Sequence, residues 1–129
     1  MGELDSLKNE LGDTRVELNA IRSANENVKE VLSKLKSSRG KIETIWMDIK
    51  NYDADKLKDS WIDQIGSETY TTKFLETERY VNNILTKLDA YIDMLKTKSN
   101  ELEERSGRSS EYIAYLQDRM GDLEASKWK

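Results

Sequence analysis

Glu101, Glu103 and Glu104 form a dense group of side chains that could do chemistry, since clustered carboxylates serve general acid–base catalysis and cation binding. Spaced this closely within one helical pattern, with no loop to bring further ligands in, they read as a solvated face. Tyr80, Tyr91, Tyr112 and Tyr115 could line an aromatic cage, but their spacing puts them on a helical seam or its flanks. The chain contains no cysteine and no histidine, which removes disulfides, thiolate nucleophiles, imidazole bases and the usual zinc ligands together. Glycine-rich phosphate loops are also missing. Paired carboxylates need a concave, partly dry site to shift their pKa values, and a pair of helices supplies none. The expectation is a protein that is no enzyme and holds no metal or cofactor.

Composition sets what positions these residues. The 129 residues allow one ordinary domain. Hydrophobic residues make up 36%, charged residues another 36%, and the mean hydropathy is -0.81. That suffices for a narrow apolar seam and falls short of a thick core with sheet layers. Proline is absent, so nothing forces a helix to break. The net charge of -4 is spread evenly along the chain. Without a concentrated basic face, counterion release cannot drive binding to nucleic acid, and an anionic membrane surface is disfavoured for the same reason.

No window approaches the roughly 20 apolar residues of a membrane span. The start MGELDSLK lacks the basic flank and apolar core of a cleavable signal peptide, which predicts a cytoplasmic protein or one exported by a non-classical route. Met1-Gly2 with Ser6 fits the myristoylation pattern, against which Glu3 and Asp5 stand.

Counting alternately three and four residues from Leu4 gives Leu7, Leu11, Thr14, Leu18, Ile21, Asn25, Val28, Leu32, Leu35, Arg39, Ile42, Trp46 and Ile49, nearly all apolar. A repeat averaging 3.5 residues keeps one seam toward a partner helix. Asn25 on that seam costs stability and can fix register. A second heptad runs Tyr70, Phe74, Thr77, Val81, Ile84, Leu88, Tyr91, Leu95, Lys98, Leu102, Arg105, Ser109, Tyr112, Leu116, Arg119 and Leu123. Leu85 and Ile92 widen its stripe. A stripe that wide wants more than one neighbour, so Val81, Ile84, Leu85, Leu88, Tyr91, Ile92 and Leu95 are the interface candidates, toward another chain or a second copy.

Between the heptads, Asp53 can cap a short helix on which Leu57, Trp61 and Ile65 share a face, Gly66 can end it, and Ser67 can cap the next. The resulting expectation is an all-α, elongated antiparallel helical hairpin forming a single domain. Arm one covers about 3–65 and arm two about 67–124, with a short C-terminal tail, the turn near Gly66-Ser67 and Trp61 wedged beneath it. Each arm would measure about 90 Å. A turn at 66 sets Ser106-Gly107-Arg108-Ser109-Ser110 opposite Ala24-Asn25. Glycine costs about 1 kcal/mol inside a helix, so Gly40 and Gly107 are soft spots, and the pattern leaves open whether the helices break there.

Trp61, Gly66, Phe74 and the heptad VNNILTKLDAYIDMLKTKSNELEE together resemble the second half of the small Trp-x-Gly helical-hairpin proteins exported by type VII secretion systems of Gram-positive bacteria. The coiled first arm and Tyr80 to Ile92 are similar to the accessory proteins encoded beside LXG-domain toxins. The resemblance implies a targeting factor that pairs with the helical N-terminal domain of a toxin, with a second small helical protein as a further partner, and presents it to the secretion machinery. The family's Tyr-x-x-x-Asp/Glu signal has no counterpart after the second heptad, where Tyr115 and Asp118 stand three apart, so Trp61, Gly66 and Phe74 carry over as structural positions. The other reading of the heptads is a self-associating coiled-coil adaptor unrelated to secretion.

Overall fold

The structure, a computed structural model, describes residues 2–59 and 64–126, with side chains over 2–52 and 71–126. Helix α1 spans Glu3–Asp59 and helix α2 spans Gln64–Ser126, and they form an antiparallel hairpin with no strand among the described residues. Glu3 and Asp5 place negative charge in the first turn of α1, where the helix dipole favours it.

Several local expectations are corrected. Helix α1 runs through Asp53 without a new cap, and at Gly40 and Gly107, where the sequence left a break open, both helices continue. An added Cβ at either glycine would meet nothing within 4 Å, so the cost there is only the lost backbone entropy, which continuous packing on the seam offsets. Gly66 and Ser67 fall inside the first turns of α2, and the connection lies between Asp59 and Gln64. Trp61 lies outside the described residues.

Moving the connection about four residues earlier moves the pairing by twice that, roughly one heptad. Asn25 accordingly faces Ser99 and not the 106–110 segment, with the Ser99 hydroxyl donating to Asn25 Oδ1 at 2.7 Å.

Seam positions on α1 match the expected repeat from Leu4 to Trp46, all buried or half-buried, and only Ile49 at its end is exposed. On α2 one of the two expected lines is right and the other is displaced. Phe74, Val81, Leu88, Leu95, Leu102, Ser109, Leu116 and Leu123 face α1. The alternate line is Glu78, Leu85, Ile92, Ser99, Ser106, Ile113 and Met120, whereas Thr77, Ile84, Tyr91, Lys98, Arg105, Tyr112 and Arg119 are exposed. Desolvation decides between them, because the expected line would have buried three charges, Lys98, Arg105 and Arg119, where the adopted one places Ser99, Ser106 and Met120 and carries a single half-buried charge, Glu78.

The chain divides into two compact units, one of Met1–Glu30 with Leu95–Lys129 and the other of Val31–Met94. In the first, Leu11, Leu18 and Ile21 of α1 and Leu102 and Leu116 of α2 are buried, Leu116 completely. Its polar layer is a connected network. Ser99 is 6% exposed and donates to Asn25, Asn25 donates to the Glu103 carboxylate, and Lys29 Nζ lies 2.9 Å from Glu103. The Lys29 ammonium holds the Glu103 carboxyl below its ordinary pKa.

Such a layer sets register more than stability. Asn25→Leu alone should cost about 1–3 kcal/mol in denaturant unfolding, since it leaves the Ser99 hydroxyl buried without its acceptor. Pairing it with Ser99→Ala should recover that loss and let engineered cross-links between α1 and α2 form one heptad out of register. Cross-linking confined to the native register in the double variant would remove Asn25 as the register residue.

In the second unit, Trp46 and Ile92 are buried, and the Trp46 and Phe74 rings stack at 5.3 Å with a 28° interplanar angle. Lys50 Nζ sits 5.7 Å from the Trp46 ring centroid. Arg39 occupies a seam position, reaches Asp89 with Nε at 2.6 Å and Nη2 at 3.3 Å, and also pairs with Glu43.

Candidate functional site

Seam residues preceded by an apolar neighbour leave that neighbour on the edge of the helix pair. Label Leu4, Leu11 and their heptad successors through Trp46 as position a of α1, and Glu78, Leu85, Ile92 through Met120 as position a of α2. Position g immediately precedes a, and position e follows it by four. In an antiparallel pair the two g lines share one edge and the two e lines share the other.

Within Val31–Met94 the two edges differ in kind. The e edge is polar, with Glu43 and Asp89 both drawn to Arg39, whose guanidinium they hold above its ordinary pKa, Asp89 more than Glu43. The g edge is uncharged and largely apolar, with Ser38 and Thr77 as its polar members. It carries Val31 and Ile45 from α1 and Ile84 and Tyr91 from α2, joined by Ile49 where the α1 seam opens and by Met94 beside Tyr91. Ile45 is 59% exposed, Ile84 48% and Tyr91 54%. An open groove lined by Ser37, Gly40, Lys41, Thr44 and Ile45 borders this edge, and small side chains there let another backbone approach.

The other unit handles the same two lines differently. There the g edge is closed by Arg119 Nη2 on Glu3 at 3.1 Å and by the Tyr112 hydroxyl on Glu10. The carboxylate of Glu10 keeps the Tyr112 phenol protonated to higher pH than usual. Tyr112 also stacks on Tyr115 at 5.9 Å. An edge bridged this way offers a helix little apolar surface.

No family model, curated protein or solved structure matches this chain.

Among the interface candidates, Val81, Leu85, Leu88, Ile92 and Leu95 are spent on the intramolecular seam, and Ile84 and Tyr91 remain exposed. Val31, Ile45 and Met94 join those two without having been singled out from sequence. Their signal was available in Val31 and Ile45, one residue before Leu32 and Trp46. Phe74 packs in the seam on Trp46, Asn25 sits in the polar layer, and the turn candidate Gly66 is helical. Tyr80 and Tyr91 belong to one unit and Tyr112 and Tyr115 to the other. Met47 and Leu75 are exposed away from the g edge. Among the described residues no cluster of acidic side chains has metal-binding geometry, and no helix is long and apolar enough to cross a membrane.

Proposed function

We propose that this chain is a small helical interaction protein that takes another helical chain along the g edge of residues 31–94. The observation that carries this reading is the contrast between the two units, one with its g edge bridged by Glu3–Arg119 and Glu10–Tyr112, the other with the same edge apolar and exposed. The resemblance described above points to the N-terminal domain of an LXG-type toxin as the bound chain, with a second small helical protein joining the complex. In that reading the assembled bundle leaves the cytoplasm through a type VII secretion system.

The mechanism is positional. Fully burying a side chain of this size is worth about 1.5–3 kcal/mol, so each half-exposed residue of the edge returns about half of that when covered. Association costs on the order of 4–15 kcal/mol in lost freedom. One line of contacts falls short, so the partner has to engage the g lines of both helices, closing a bundle of at least three helices around the apolar edge.

Size-exclusion chromatography with light scattering tests this, first on the protein alone and then on mixtures with the helical N-terminal domains encoded by neighbouring genes. A new stoichiometric complex is the expected result. A stable homodimer indifferent to every such domain would replace this reading with the self-associating adaptor.

A further inference from the structure

The residues bordering the apolar edge are as one-sided in charge as the edge is in hydropathy. Position c, two residues after a, lies next to g on the outward side of each helix. In the unit of Val31–Met94 the exposed charged c positions on the described side chains are Lys34 and Lys41 of α1 and Lys73 and Lys87 of α2, against one acid, Asp48. Lys73 spends part of its charge on Glu76 at 3.7 Å. Lys41 and Lys87, which flank the middle of the edge from opposite helices, are available to a partner.

We propose, building on the reading of this edge as a helix-docking surface, that it selects a different chain whose apolar stripe is bordered by carboxylates and rejects a second copy of this protein. Two copies docked edge to edge about a two-fold axis would bring the Lys41 and Lys87 pairs of both into one junction, with a single acidic c position per copy, Asp48, to offset them. Like charges set against each other in a forming interface suppress the wrong partner, while opposite charges steer and orient the right one. The net charge of -4 does not alter this, because screening confines the choice to charges within about 10 Å of the contact.

The probes are two designed helical hairpins with the same apolar stripe on both helices, one bordered by glutamates and the other by lysines. Both are titrated by fluorescence anisotropy against the full chain and against the Lys41→Glu/Lys87→Glu variant, whose exposed substitutions leave the fold intact. We expect the glutamate-bordered hairpin to bind the natural chain about tenfold tighter at low salt, with the gap closing in 1 M salt. The double variant should reverse the preference and begin to pair with the natural chain. Equal binding of the two probes would overturn the charge selection and leave the docking edge standing. A natural chain that forms a homodimer through this edge would overturn the rejection of self. Binding of neither probe would overturn the docking edge and this proposal with it.

Discussion

Trp46→Ala should lower the stability of the free chain by about 3–5 kcal/mol, read from denaturant unfolding. Against a total of roughly 5–15 kcal/mol this is a large share of what keeps the chain folded. The reason is how little else anchors residues 31–94. Trp46 and Ile92 are the buried apolar side chains among the described residues of that unit, whereas the other unit has five. Trp46 is 5% exposed, stacks on Phe74 and lies under Lys50, so alanine would leave a cavity that the neighbouring seam side chains cannot close. A double-mutant cycle with Phe74→Leu should return a coupling of about 0.5–1.5 kcal/mol for the ring pair. A loss under about 1 kcal/mol for Trp46→Ala would show that the unit holds together without this contact.

The helical hairpin was legible because its cause is periodic. No proline interrupts either heptad, and the α1 seam from Leu4 to Trp46 follows the count of threes and fours in full. Two things were hidden for definable reasons. From Val81 to Leu95 both candidate lines of α2 are apolar, Ile84 and Tyr91 on one and Leu85 and Ile92 on the other, so local pattern alone could not say which faces α1. The answer lay farther along, where continuing the first line would bury Lys98, Arg105 and Arg119. The pairing register was hidden differently. Gly66-Ser67 carries the local signature of a turn, yet helix α2 already includes it, and each residue of error in placing the turn shifts the pairing by two. The asymmetry between edges could be seen only once the seam was assigned, since position g has no meaning until position a is known.

Ile84→Glu with Tyr91→Glu should abolish partner binding while costing the free chain about 1–2 kcal/mol for the pair, because only about half of each side chain is packed against the helix pair and the rest already stands in water. Val81→Glu with Leu88→Glu should do the opposite first. Both residues are half-buried against α1, so the charges enter the intramolecular seam, and the free chain should lose about 3 kcal/mol or more. Binding would then disappear too, for lack of a folded surface. Circular dichroism melting separates the two cases before any partner is added, and light scattering of the mixture reads the complex. A partner that still binds the Ile84/Tyr91 variant with undiminished affinity would move the interface off the g edge, since no docked helix could span the line from Val31 and Ile45 without covering both positions. A loss of about 3 kcal/mol or more in that variant, matching the Val81/Leu88 pair, would show instead that Ile84 and Tyr91 serve the fold, returning them to the seam that the heptad first suggested. The two pairs differ only in which side of one helix they occupy, so their contrast isolates the edge from the core more sharply than either substitution alone.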